Sequence, residues 1–254
     1  MRSLGVLLKD SLYRALSQPG RNAAVLIVCL LPGFCLLQWA MQASGVTGRE
    51  AIKPAILEGR FQDLALVAVV GAFAKLLSLI GSISVMLAMA AEEDGEIWTV
   101  REAMARGLKA FTPLLWAEGL ALLFVLGGFI LLIIPGILLG IRYMLVRPAV
   151  LLDGRRGLEA LARSKEIMLA HTGKVIGNIL CAGFLSLAAL FVLAIPYSIL
   201  KLLILPTLQP FAQRQFFGFF EELAGQLVMT WVFAFIVLLY RDLSRLHPAP
   251  APGN

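Results

Sequence analysis

Cationic side chains inside apolar runs are the residues of this sequence best placed to do chemistry. Arg142 and Arg147 lie in the apolar run that follows Pro135-Gly136, and Lys75 lies in another run, over 64–91. Arginine or lysine in such a run is costly, so each must be paired or must line a polar cavity. Arg142 and Arg147 are five residues apart and would point about 140° away from each other on a helix. They therefore cannot both face lipid cheaply.

The depth of each cation suggests its partner. Arg147 lies roughly 8 Å from the end of its run at ~1.5 Å per residue, so its side chain can reach the interface. Arg142 is deeper and needs a carboxylate, a carbonyl-lined cavity or an anionic lipid headgroup. Glu118 is an acid well inside an apolar run, at a depth that suits Arg147 better than Arg142. Two hypotheses stay open: Lys75 and Arg142 line a cavity that accepts an anion, or they hydrogen-bond to backbone carbonyls and serve helix packing.

Other polar and small residues predict contacts between helices. Tyr143 and Asn178 lie in apolar runs, where their side chains are expected to hydrogen-bond across helices. The spacings Gly136-x-x-x-Gly140 and Gly173-x-x-x-Gly177 permit close approach of two helices, although the first adjoins a turn.

Two amphipathic segments carry an acid four residues before an arginine. These pairs are Glu102 with Arg106 and Glu159 with Arg163, in T-V-R-E-A-M-A-R-G-L-K (99–109) and R-G-L-E-A-L-A-R-S-K-E (156–166). Each is either a solvated pair within one helix, worth a few tenths of a kcal/mol, or a clamp that docks the helix onto the loop ends of the next span. The match predicts a repeated unit of interfacial helix, span and span. Such repeats occur in transporters but also in proteins that transport nothing.

The sequence offers no constellation for catalysis or for metal binding. The cysteines all lie in apolar runs without a C-x-x-C spacing, and the two histidines are far apart in the chain. No nucleotide-binding, zinc-protease or hydrolase fingerprint occurs in a usable context. We therefore expect no catalytic residue, no metal, no cofactor and no enzymatic activity.

Composition places the chain in a bilayer. Hydrophobic residues make up 59% of the 254 residues and charged residues 15%, against about 25% charged in soluble domains. The net charge of +6 comes from basic residues beside apolar runs. They indicate an anionic membrane surface as the partner rather than nucleic acid, because no basic patch is interleaved with aromatics.

The predicted fold is all-α and polytopic, as a single membrane domain over 1–246. Six spans are expected, at 23–42, 64–91, 113–134, 137–152, 174–204 and 223–240, with interfacial helices at 3–17, 97–110 and 155–171. Thr112-Pro113 should separate a helix from a span, and Pro135-Gly136 should form the far turn. Phenylalanines within 205–221 are expected at an interface, and 247–254 should be a disordered, proline-rich tail. The basic flanks alternate correctly if both termini are cytoplasmic.

One long motif resembles a known family. The run at 135–173, P-G-I-x-L-x-x-R-Y-x-L-x-x-P-A-x-x-L-D-x-x-x-G-x-x-A-L-x-R-S-x-x-x-x-x-x-x-x-G, and the ending L-Y-R-D-L-S-R at 239–245 carry the resemblance. They resemble the membrane domain that precedes glycerophosphodiester phosphodiesterase in some bacteria, and related stand-alone inner-membrane proteins. Asp153 stands where that family often has Glu. Catalysis does not carry over, because no segment of this sequence is long enough to hold the phosphodiesterase domain.

The resemblance and the composition together predict a class of function. We expect a non-enzymatic, multi-pass bacterial inner-membrane protein that supports lipid or envelope processes, with anionic lipids and a further membrane protein as partners. The alternative is a transporter or lipid translocator with an anion-accepting cavity near Arg142 and Lys75.

Overall fold

The chain is helical throughout the residues that the structure, a computed structural model, describes: 2–46, 49–204 and 210–248. In chain order the helices are α1 Leu4–Ser17, α2 Pro19–Ser44, α3 Arg49–Leu57, α4 Phe61–Glu93, α5 Val100–Leu131, α6 Ile133–Arg142, α7 Val146–Asp153, α8 Gly157–Ile204 and α9 Pro210–Leu246. Six segments are long and apolar enough to cross a membrane: Pro19–Ser44, Phe61–Glu93, Val100–Leu131, Ile133–Asp153, Gly157–Leu200 and Phe217–Leu246. The all-α, polytopic fold predicted from the sequence is thus confirmed.

Proline positions account for the errors in the predicted boundaries. The helix α5 runs through Pro113 without a break, so the expected interfacial helix at 97–110 and the span after it are one helix. A proline inside a membrane helix is tolerated when neighbouring groups satisfy the freed carbonyl, and Leu114 and Ala117 just after it are fully buried. The far turn lies at Leu132, which is extended, rather than at Pro135-Gly136. Pro135 instead lies in the first turn of α6, where its missing N–H costs nothing.

The junction between the third interfacial helix and its span is a kink. The backbone of His171 is non-helical (φ −138°, ψ 24°), so α8 consists of two helical parts that meet there. The expected boundary between 155–171 and 174–204 falls at this kink. The segment between the first two expected spans contains a further short helix, α3. Of the predicted tail, only His247 and Pro248 belong to the described residues, and so its disorder stays a prediction.

The fold is built around α7, the short helix at the centre of the larger core. Its residues Val146, Pro148, Ala149, Val150 and Leu151 are all buried. The larger core joins α7 to buried residues of α1, α4, α5, α8 and α9, and a smaller one joins α2, α4, α5 and α9. In contrast, the large apolar residues around the α5–α6 turn and in the second part of α8 are mostly exposed, among them Ile130, Leu131, Phe191 and Val192. Lipid is the solvent that such surfaces require.

Candidate functional site

The two ends of the described chain meet at one end of the helices, and charged residues bind them together. The backbone N–H of Arg2 donates to Asp242 Oδ2 at 2.7 Å, and the Arg2 guanidinium lies 3.2 Å from Glu93 Oε1. Asp242 and Glu93 side chains are each only 6% exposed. The start of the chain, the end of α4 and the end of α9 therefore lie at the same end of the molecule, which we call the charged end.

Arg241 extends this network to the residue after α4. Its guanidinium donates two hydrogen bonds to the carboxylate of Asp94, at 2.6 and 2.7 Å, and a third to the carbonyl of Ala90. Such two-pronged pairing is among the stronger charge-assisted contacts. The hydrogen bonds from Arg241 lower the pKa of Asp94 below its ordinary value.

Arg163 is the most buried arginine of the predicted sites and clamps the charged end of α8. Its side chain is 4% exposed and lies 3.4 Å from Asp153 Oδ2 and 3.1 Å from Glu166 Oε2. It also donates to the carbonyl of His247, and Asp153 in turn accepts a 2.6 Å hydrogen bond from Tyr240. Arg163 thus joins α7, α8 and the end of α9, rather than the loop ends of the next span that the clamp hypothesis named.

Ser164, the next residue, holds the break between α6 and α7. Its hydroxyl donates to the carbonyl of Arg142 at 2.7 Å and accepts from the N–H of Leu145 at 3.1 Å. A broken helix frees a donor and an acceptor, and leaving either unpaired in a buried site costs about 1–3 kcal/mol. Sequence reasoning missed this role, because the partners are backbone groups that have no signature in the sequence.

Arg147 and Glu118 form an ion pair at the edge of a cavity. The Nε of Arg147 donates to Glu118 Oε1 at 2.7 Å, and the two side chains are 31% and 32% exposed. This pairing agrees with the depth argument from the sequence. The cavity, of about 300 Å³, lies between α5, the α6–α7 break and α9, and Tyr143 and Met229 also line it.

The structure does not bring Lys75 and Arg142 to one site. Lys75 Nζ lies 3.2 Å from Glu222 Oε1 on α9 and is 74% exposed. It lies about 27 Å along α4 from Glu93 and about 21 Å from Phe61 at ~1.5 Å per residue, near the middle of that helix. The cavity beside Lys75 does not include Arg142. The anion cavity shared by these two cations is therefore a wrong prediction.

Arg142 lacks the polar partner that its position led us to expect. Its side chain is half-buried and forms no hydrogen bond or ion pair with the residues described, while its carbonyl is taken by Ser164. The guanidinium ends α6, where a positive charge suits the helix dipole.

Neither of the predicted acid–arginine pairs forms within its own helix. Glu102 instead closes a capping box, bonding the N–H and hydroxyl of Thr99 at 2.8 Å each. Arg106 lies 3.7 Å from Glu96 and stacks over the ring of Trp98. Arg163 contacts Asp153 and Glu166, as described above, and forms no ion pair with Glu159 in the described structure. Capping and contacts between elements give these side chains more hydrogen-bond partners than a solvated pair along one helix would. This explains why the two predicted pairs do not form.

The predicted cross-helix hydrogen bonds of Tyr143 and Asn178 are not found among the described residues. The Tyr143 ring lies against Phe124, with centroids 6.2 Å apart, and Asn178 lines an open cavity of about 470 Å³ with Arg2 and Lys174. Gly173 and Gly177 have open space around them, so they mediate no close helix contact. Gly136 does allow a close contact between helices, because a Cβ there would lie 2.5 Å from the ring of Phe129 on α5.

The arrangement holds helices together more than it presents reactive groups. Within the part of the chain that the structure describes, no three His, Cys, Asp or Glu side chains are grouped to hold a metal ion. Comparison with family models, curated proteins and solved structures finds no match for this chain.

Proposed function

We propose that this chain is a non-enzymatic, multi-pass protein of the bacterial inner membrane that supports lipid or envelope processes, with both termini in the cytoplasm. The observation that carries the proposal is the pairing of its charged residues across helices. Arg147, Arg163 and Lys75 each pair with a carboxylate, and in each case the pair joins two helices. Charged groups that form ion pairs with one another in this way stabilise a scaffold.

The orientation follows from the distribution of basic residues. Arg101, Arg106 and Lys109 at the start of α5, and Arg155 and Arg156 before α8, flank spans near the charged end. Basic flanks favour the cytoplasmic side of a bacterial inner membrane. The segment at 49–60 on the other side also carries Arg49, Lys53 and Arg60, but Arg60 is offset by Asp63 at 2.7 Å.

The family resemblance supports the same proposal. Several residues that carry it make the interhelical contacts described above: Arg163, Ser164 and Tyr240. Motif residues that make interhelical contacts of this kind fit a membrane domain in which the motif maintains the fold. The exposed apolar surface of the α5–α6 hairpin offers room for lipids and for a membrane-protein partner.

The test compares a bacterial strain that lacks the gene with strains that express the wild type or Arg163→Ala. We expect deletion to alter envelope permeability or resistance to envelope stress, without any lipid species gaining or losing a chemical group by mass spectrometry. Arg163→Ala should fail to restore the envelope property. Accumulation of a lipid precursor that the wild-type gene removes would point to an enzyme and overturn the proposal.

A second candidate function, lipid translocation, is favoured by the broken helix. Helices interrupted within a span, with polar groups at the break, commonly form the sites of transporters. Here the α6–α7 break adjoins the cavity that holds Arg147 and Glu118. In proteoliposomes, translocation of a labelled anionic lipid that is lost with Arg147→Gln but retained with Lys165→Gln would support this function. Equal rates with and without protein would exclude it for that lipid.

A further inference from the structure

A basic cavity at the charged end has no role in the contacts described so far. It measures about 330 Å³ and is lined by cations from two elements: Arg106 and Lys109 of α5, and Arg155 and Arg156 of the turn before α8. No acidic side chain is among its lining residues. Glu96 at its edge lies 3.7 Å from Arg106 and so partly offsets that one cation.

Three of these cations remain uncompensated. Lys109, Arg155 and Arg156 form no ion pair with any residue in the described part of the chain. Asp153, the acid next to this turn, is already taken by Arg163 and Tyr240. A cavity with clustered, unpaired cations attracts a multivalent anion, and arginine forks suit phosphate oxygens.

The turn that carries Arg155 and Arg156 has a constrained backbone and packs closely against α5. Gly154 and Gly157 adopt left-handed backbone conformations, with φ of +67° and +50°. A Cβ at Gly157 would lie 3.3 Å from Nε1 of Trp116 on α5, so the turn lies close against that helix. Any side chain at Gly157 would be both strained and crowded there. The backbone of the turn that carries Arg155 and Arg156 is therefore held close to α5.

Below the cations the cavity is apolar. Leu87, Pro113 and Val150 line it, and Leu87 lies about 9 Å along α4 from Glu93 at ~1.5 Å per residue. Trp98, whose ring lies under Arg106, also lines the cavity. Tryptophan favours the headgroup level of a bilayer. Cations above and apolar side chains below match the two parts of a phospholipid.

We propose that this cavity binds the phosphate group of an anionic phospholipid such as phosphatidylglycerol, with Lys109, Arg155 and Arg156 holding the phosphate. The chemistry that the site recognises is a phosphate ester, so a soluble phosphate ester is the other source of the ligand. The inference deepens the proposed function and rests on it for the placement of the charged end at a membrane surface.

Fluorescence of Trp98 tests the site directly. The full chain with Trp39, Trp116 and Trp231 replaced by Phe is reconstituted in phosphatidylcholine vesicles. A small fraction of lipid, varied in a titration, carries a nitroxide near the headgroup on either phosphatidylglycerol or phosphatidylcholine. We expect the labelled phosphatidylglycerol to quench Trp98 at a concentration about tenfold lower, because each basic residue near the surface strengthens binding to an anionic lipid.

Two triple variants separate the site from general surface charge. Lys109→Gln, Arg155→Gln and Arg156→Gln together should abolish the tenfold preference. The control Lys9→Gln, Arg101→Gln and Lys165→Gln removes the same charge from exposed positions outside the cavity and should keep it. All six side chains lack ion pairs among the described residues, so both variants should fold, which circular dichroism checks. Equal preference in the two variants, or no preference in the wild type, would overturn the site and leave the envelope test untouched.

A third arm identifies the source of the phosphate. Glycerol phosphate added to the labelled phosphatidylglycerol vesicles should not reverse the quenching at millimolar concentration if the acyl chains contribute to binding. Full reversal in the wild type would assign the site to a soluble phosphate ester and overturn the lipid as its ligand.

Discussion

At the residue scale, the arginines of the repeated segments are linkers between elements. Arg106 lies 3.7 Å from Glu96, and Arg163 contacts Asp153. Neither pairs with the acid four residues before it. Burial decides how much each ion pair contributes to stability. The Arg163 side chain is 4% exposed and that of Arg106 is 49% exposed. Solvent screening makes the exposed pair worth little, whereas removal of a buried partner is costly.

Replacing Arg163 by Ala should destabilise the protein by about 3 kcal/mol, because it breaks a buried pair and strips partners from Asp153 and Glu166. Arg163→Lys should recover only part of the loss, since an ammonium cannot reach all three acceptors at once. The measurement is thermal or denaturant unfolding in detergent. Lys165→Ala, an exposed residue two positions away, is the control and should change stability by less than about 0.5 kcal/mol. Similar losses for Arg163→Ala and Lys165→Ala would contradict the clamp.

The pairing of Asp94 with Arg241 predicts a dependence on pH. The pKa of Asp94 is lowered in the folded protein, so the contribution of the pair is fully present above the unfolded-state pKa of about 3.9. It is lost as the pH falls through the lower, folded-state pKa. Unfolding temperatures of the wild type and Asp94→Asn should therefore differ at pH 7 and converge below about pH 4. A difference that stays constant down to pH 3 would show that the charge of Asp94 is irrelevant.

At the element scale, glycine sets how closely α4 and α5 pack. A Cβ on Gly107 would lie 2.0 Å from Ser84 Oγ and 3.1 Å from Ser84 Cα. Rotation of the serine side chain relieves the first contact but not the second, which involves the backbone. Gly119, on the same helix, has nothing within 4 Å. The two glycines of α5 thus have opposite expected responses to the same substitution.

Gly107→Ala should therefore destabilise the protein by about 1–3 kcal/mol through overpacking. Gly119→Ala should be neutral or slightly stabilising, because alanine is the better helix former. Adding Ser84→Gly to Gly107→Ala should recover part of the loss. Unfolding in detergent measures all three, and equal effects of the two alanine substitutions would show that α4 and α5 do not pack as described.

The elements also show what sequence can and cannot predict. Apolar length and flanking charge were enough for the spans, and depth along a span was enough to match Glu118 with Arg147. Arg163 and Ser164 were harder, because Asp153 lies 10 residues from Arg163 and the partners of Ser164 are backbone groups. The predicted helix boundary at Pro113 was wrong. Proline breaks an isolated helix, but packing around Leu114 and Ala117 keeps α5 continuous.

At the scale of the whole molecule, charged contacts cluster at one end, and large exposed apolar residues lie elsewhere. Arg2, the end of α9, the turn before α8 and the end of α4 belong to the charged end, through contacts such as Arg2 with Asp242 and Arg163 with His247. Exposed apolar residues cover the α5–α6 hairpin and the second part of α8. This polarity is what fixes a membrane protein in one orientation.

Cysteine accessibility tests that orientation most directly. In a chain whose Cys29, Cys35 and Cys181 are replaced by Ala, single cysteines are placed at Arg101, Arg156 and Arg245 of the charged end and at Glu58 on the other side, all exposed positions. A membrane-impermeant maleimide should label Glu58→Cys in spheroplasts, whose inner membrane is intact, and label the other three only after the inner membrane is opened. Labelling of any charged-end cysteine from outside, or of Glu58→Cys only after opening, would contradict the account.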